Sequence, residues 1–183
     1  PLHSSGFFIG QFSKRINTVF LHQLDFYYCC MKQRIYLDTS VIGGAFDEEF
    51  KKITIQLFEM AVAKKITLVI SDVTEKELAN APLEVISFFS ALNKDDIEFI
   101  SNNEECTNLA NVYIKEGVVG QTSFDDCQHI AIATVYKVDV LASWNFKHIV
   151  NIIRIRGYNS VNLKLGYPVL EIRPPNQIID YEN

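Results

Sequence analysis

Residues 123–146 read SFDDCQHIAIATVYKVDVLASWNF, and this stretch decides the fold. Residues 123–136 have the spacing of a helix with Ile130, Ala131, Ala133 and Thr134 turned inward. Residues 138–142 follow at once as a short apolar strand, and Ser143-Trp144-Asn145-Phe146 turns away from it. A helix that runs directly into a buried strand is half of a βαβ unit, so the sheet is expected to be mostly parallel and covered by helices.

Working outward, the same alternation recurs on the N-terminal side. Residues 34–37 form a strand ending at Asp38-Thr39-Ser40, and Ile53, Leu57, Phe58, Met60 and Ala61 make a helical stripe. Residues 66–70 are continuously apolar and rich in β-branched side chains, as in a strand covered on both faces. A helix is expected over 74–79 and, past the break at Pro82, another over 83–92. Residues 97–100 read as a third strand and 104–115 as a helix stopped by Gly117-Val118-Val119-Gly120. Beyond Phe146 the pattern is less regular, with 169–172 as an edge strand ended by Pro174-Pro175.

With 183 residues, 48% hydrophobic and 21% charged, the chain can bury one sizeable core, which excludes disordered and collagen-like classes. Acidic residues outnumber basic ones 22 to 17, so a nucleic-acid partner would need a local basic rim. Cys29, Cys30, Cys106 and Cys127 show neither C-x-x-C spacing nor disulfide-rich density, which reads as reduced thiols in a cytoplasmic protein. Neither they nor the scattered histidines form a zinc motif. The first thirty residues differ from the rest: five phenylalanines (Phe7, Phe8, Phe12, Phe20, Phe26) stand beside only Lys14, Arg15 and Asp25 as charges. The apolar run after Arg15 is interrupted by His22, Gln23 and Asp25, so it reads neither as a membrane span nor as a signal segment. Residues 1–30 are therefore expected to be an extension outside a domain at 31–183.

In open α/β sheets ligands bind beyond the carboxyl ends of the strands, and there this sequence is acidic. Asp38 follows the first strand, Glu77 lies one turn into the helix after the second, Asp125-Asp126 begin a long helix, and Asn145 follows the next strand. Hard cations such as Mg²⁺ or Mn²⁺ take oxygen ligands, whereas carboxylates clustered without one raise each other's pKa. Each residue also has a plainer role. Asp38 or Ser40 fits a helix N-cap, 74–77 and 123–126 fit capping boxes, and Asn145 fits a turn. Acids at several sheet termini at once favour a shared site over independent caps.

Taken in order, these stretches resemble a known family. Ile35-Tyr36-Leu37-Asp38-Thr39-Ser40, Ser71 through Glu77-Leu78, Asp126-Cys127-Gln128-His129-Ile130-Ala131 and Ser143-Trp144-Asn145-Phe146 are similar, in type and relative spacing, to the successive motifs of PIN-domain ribonucleases, VapC-type toxins among them. The resemblance implies a three-layer α/β/α fold and a metal-dependent endoribonuclease. Asp38, Glu77, Asp126 and Asn145 would be the catalytic and metal-holding residues, and Ser40, Asp125 and Ser143 would support them. Many relatives carry aspartate in place of Asn145; an amide oxygen ligates a hard cation more weakly. The resemblance further implies Mg²⁺ or Mn²⁺, an RNA substrate, a small antitoxin partner and a homodimer.

Lys147, His148 and Trp144 flank Asn145 and are candidates for RNA contact, with Arg154, Arg156, Lys51 and Lys52 nearby in sequence. The competing roles are ordinary solvated surface for the cations and core cover for the lone tryptophan. His129 reads as a packing or surface residue of its helix. Two other functions remain beside the toxin: a housekeeping RNA-processing nuclease, and a catalytically silent PIN-like binding module. A nucleotide-binding domain ranks last, because no phosphate-binding glycine loop is present.

Overall fold

The computed structural model describes residues 32–179, so the expectation for residues 1–30 lies outside the described part. Five strands, β1 (Gln33–Leu37), β2 (Ile66–Ser71), β3 (Ile97–Ile100), β4 (Val140–Ala142) and β5 (Glu171–Arg173), form one sheet in the order β3-β2-β1-β4-β5. Every neighbouring pair is parallel. The helices are α1 (Thr39–Gly43), α2 (Lys51–Val62), α3 (Asp72–Leu78), α4 (Leu83–Ala91), α5 (Glu104–Lys115), α6 (Phe124–Val135), α7 (Ile152–Lys164) and α8 (Pro175–Ile179).

Side-chain alternation along the strands splits the core in two. Ile35, Leu37, Leu68, Ile70, Val140 and Ala142 face one way and meet Val41, Ile42, Leu57, Phe58, Val85 and Ile178 from α1, α2, α4 and α8. Tyr36, Val69, Leu141 and Ile172 face the other way and meet Leu109, Tyr113, Ile130, Ala133, Tyr158 and Val161 from α5, α6 and α7. The fold is thus the expected three-layer α/β/α arrangement. Helix α3 lends Val73 to one core and Leu78 to the other, which places it across the carboxyl end of the sheet.

The departures from expectation have local causes. Helix α3 begins at Asp72 because Ser71 caps it: the Ser71 hydroxyl accepts from the Thr74 amide, and the Thr74 hydroxyl accepts from the Ser71 amide. Strand β4 begins at Val140, two residues late. Lys137 takes the left-handed conformation that ends α6, and the Val138 amide closes back on the Ala133 carbonyl. Strand β5 is Glu171–Arg173 because Asn159 uses both backbone groups of Leu170, accepting from its amide at 2.8 Å and donating to its carbonyl at 3.0 Å. Helix α7 falls in the stretch that reads as irregular. Ile152 and Ile153 are exposed while the polar Asn162 is fully buried, so its apolar period is erased. Asn162 is accommodated because Tyr113 donates to its oxygen and its amide donates to Thr134, joining α5, α6 and α7.

Candidate active site

The chain moves from β1 outward to β3, then returns to lay β4 on the other side of β1, so the loops after β1 and β4 part at this switch point. Leu37 pairs with Ala142, and the Asp38 amide donates to the Ala142 carbonyl at 3.1 Å. Asp38 and Ser143 therefore leave the two strands side by side. Asp38 occupies the N-cap position of α1 but makes no side-chain cap bond, which removes the plainer reading of its carboxylate. Instead its Oδ2 accepts from the hydroxyls of Ser40 and Ser143, the latter at 2.7 Å. Ser40 also accepts the Trp144 amide and Ser143 the Asn145 amide, each at 2.9 Å. Both serines thus tie the Asp38 carboxylate to the chain that leaves β4.

Glu77 reaches the same place from α3, where its Oε2 accepts from the Thr39 hydroxyl. Asp126 comes from the first turn of α6, and Asn145 Nδ2 donates to its Oδ1 at 2.8 Å. The Asn145 oxygen accepts the His148 amide at 3.1 Å, so the Asn145 side chain is held at both ends. Asp125, one position earlier on α6, is exposed.

His129 is the residue whose role the sequence understated. It is fully buried, in keeping with a packing role, yet its Nε2 lies 3.2 Å from Glu77 Oε2 and 3.6 Å from Asp38 Oδ1. Its Nδ1 lies 2.8 Å from the Tyr36 hydroxyl, which is in turn 2.7 Å from the Ser71 hydroxyl. Ligand atoms of Asp38, Glu77 and His129 all fall within 4.8 Å of one another. The signal was the i, i+3 spacing of Asp126 and His129, which puts both on one helix face.

The electrostatics follow from this crowding. Burial alone favours the neutral imidazole of His129, but the Tyr36 oxygen, the hydrogen bond to Glu77 and the charge of Asp38 outweigh it and hold its pKa well above the usual value. Burial pushes Glu77 up, yet its hydrogen bonds to His129 and Thr39 and the imidazolium charge bring it below its usual value. Asp126 is raised, first by burial and then by the charge of Asp38, against the opposing influence of His148 and His129. Hydrogen bonds among the described residues engage Oδ2 of Asp38 and Oε2 of Glu77, leaving one oxygen on each carboxylate not held by a hydroxyl. Such hard donors suit Mg²⁺ or Mn²⁺.

Around this group Lys147 is exposed, and the buried Nδ1 of His148 has no hydrogen-bond partner among the described residues. Trp144 takes the core-covering role. It stacks on Phe50 with ring centroids 4.3 Å apart, and its indole N–H donates to Thr54. The aromatic ring left exposed beside the site is Phe146. Arg154 donates to the Val118 carbonyl, while Arg156, Lys51 and Lys52 are exposed. No helix among the described residues is long and apolar enough to cross a membrane.

No protein-family model matches the chain, and no curated protein matches it in sequence. Among solved structures the fold is similar to a chain of VapBC2 from Rickettsia felis, solved bound to a DNA fragment from their promoter. The two are 16% identical, the match covers 78% of this chain and 98% of that one, and the TM-score is 0.52. At that identity the likeness is one of fold.

Proposed function

We propose that this chain is a metal-dependent endoribonuclease, with Asp38, Glu77 and Asp126 as carboxylate ligands of Mg²⁺ or Mn²⁺ and Asn145 completing the fourth corner. One observation carries the reading. Elements far apart in the chain bring ligand atoms of Asp38, Glu77 and His129 within 4.8 Å of one another where β1 and β4 part, with Asp126 of α6 close enough to feel the Asp38 charge, so among the described residues three carboxylates face the single positive charge of His129. Carboxylates so gathered are costly unless a cation or proton joins them.

The chemistry such a cation supplies when bound is a water of lowered pKa and neutralisation of charge on a phosphodiester. The protein's own part is placement. Ser40 and Ser143 fix Asp38, Thr39 and His129 fix Glu77, and Asn145 fixes Asp126. Asp126, held by Asn145, is the carboxylate that would orient an attacking water. Lys147, His148 and the exposed Phe146, next to Asn145 in the chain, would meet the RNA strand.

The likeness to a chain of VapBC2, together with the motif resemblance, supports the toxin half of a toxin–antitoxin pair, with a small antitoxin and a second copy of the chain as partners. A housekeeping RNA-processing nuclease uses the same site. A silent binding module is the second reading, favoured by Asn145, whose amide is satisfied at both ends and adds no charge.

The test is cleavage of mixed RNA by the full 183-residue chain with Mn²⁺ or Mg²⁺, beside EDTA, Asp38→Asn and Asp126→Asn controls. Cleavage that needs both metal and carboxylates supports the nuclease. Folded, Mn²⁺-bound protein that leaves RNA intact shifts the conclusion to the binding module.

A further inference from the structure

The ring of His129 is held more firmly than packing requires. Three buried groups from three elements form a line: Ser71 at the end of β2, Tyr36 in β1 and His129 in α6, with 2.7 Å between the two hydroxyls and 2.8 Å between Tyr36 and Nδ1. The other ring nitrogen, Nε2, faces Oε2 of Glu77 and Oδ1 of Asp38. Ionised carboxylate oxygens only accept hydrogen bonds, so Nε2 carries a hydrogen and donates to Glu77 whatever the state of Nδ1. A nitrogen that carries this hydrogen has no lone pair to offer a cation.

Glu77, by contrast, needs a guide. It stands near the end of a seven-residue helix, with its side chain 32% exposed, and a free glutamate side chain loses rotamer entropy when fixed. Thr39 supplies one restraint from a half-buried helix start, whereas His129 supplies the one anchored in the core. Groups that orient metal-binding side chains from behind in this way typically change metal affinity about 10–100-fold when removed.

We propose that Tyr36 and His129 are positioning residues of the acidic site, Tyr36 fixing the imidazole and the imidazole Nε2–H holding Glu77 toward a divalent cation that it does not itself touch. This rests on the metal-dependent reading above and adds that His129 acts through Glu77 rather than by coordination.

The experiment is Mn²⁺ binding to the full chain, read as loss of the free-ion electron paramagnetic resonance signal, with pulsed detection of ¹⁴N coupling to the bound ion. The variants are Tyr36→Phe, His129→Ala and His129→Gln, the last keeping an amide donor near the position of Nε2. Expected are a roughly 10–100-fold weaker affinity in His129→Ala, a smaller loss in Tyr36→Phe, partial recovery in His129→Gln, and no imidazole coupling in wild type. Unchanged affinity in folded Tyr36→Phe and His129→Ala overturns the proposal, as does an imidazole coupling that vanishes in His129→Gln, which would make the ring a ligand. Should His129→Ala not fold, the affinity of the near-isosteric Tyr36→Phe decides by itself. Wild-type protein that binds no Mn²⁺ overturns the metal-dependent reading first and this one with it, an outcome distinguished by needing no variant.

Discussion

Asn145 donates to the carboxylate of Asp126 at 2.8 Å while its own oxygen accepts the amide of His148 at 3.1 Å. An acceptor on one side and a donor on the other fix which end of the amide points where. Asn145→Asp replaces the donor by a second carboxylate against the first. Without metal the variant loses about 1–3 kcal/mol, seen as a lower melting temperature in EDTA. Added Mn²⁺ raises that temperature more than it does in wild type, because the extra charge is relieved only by a cation. Equal Mn²⁺ shifts in the two proteins would place Asn145 away from the metal.

Ser143 bridges the two central strands through the Asp38 carboxylate at 2.7 Å. Hydrogen bonds to charged groups contribute about 1.5–3 kcal/mol, so Ser143→Ala lowers the urea midpoint by a corresponding amount. The same change releases Asp38, and RNA cleavage falls with it, about 10–100-fold. A stability loss with full cleavage would make the contact purely structural.

The metal-free protein has a particular pH dependence. His129 binds its proton more tightly folded than unfolded, so its stabilisation is fully present below its ordinary value of 6.5 and is lost as pH rises through its raised folded value. Glu77 is lowered, so its stabilisation is present above its ordinary 4.5 and is lost as pH falls through the lowered value. Asp126, raised from 3.8, acts in the opposite sense: its contribution is present below 3.8 and is lost as pH rises through the raised folded value, which offsets part of what Glu77 gains. Denaturant midpoints in EDTA therefore peak in mildly acid buffer and decline toward alkaline pH, and His129→Gln flattens the alkaline decline. A wild-type midpoint that stays level from mildly acid to alkaline buffer would show that His129 is not charged in the folded state.

Gly44 lies under the indole of Trp144. A Cβ added there would come within 2.8 Å of the Trp144 ring and 2.9 Å of the Thr54 hydroxyl. Trp144 is pinned by its stack on Phe50 and its bond to Thr54, so it has little room to yield. Gly44→Ala costs about 1–3 kcal/mol, measured by urea unfolding, even though alanine is the better helix former.

How far the sequence could be read depended on how local each cause was. The buried strands at 34–37 and 66–70 announce themselves because a central parallel strand is apolar on both faces, and the acids that follow them mark the site. Helix α7 gives no such signal. Its burial of Asn162 and exposure of Ile152 and Ile153 make sense only once Tyr113 and Thr134 are seen to satisfy the amide. Likewise the spacing of 74 and 77 suggests a cap, whereas Ser71 does the capping and leaves Glu77 for the site.

By itself, then, the sequence determined the alternation of strands and helices, the three-layer class and the acids at the strand ends, since each depends on side-chain periodicity within a dozen residues. Tertiary structure alone decided the partners of those acids. Asp38 meets Ser143 across 105 positions and Glu77 meets His129 across 52, contacts set by strand register and by the placement of α3 and α6 on the sheet. Spacing along the chain carries no record of either, because such contacts come from packing the layers together.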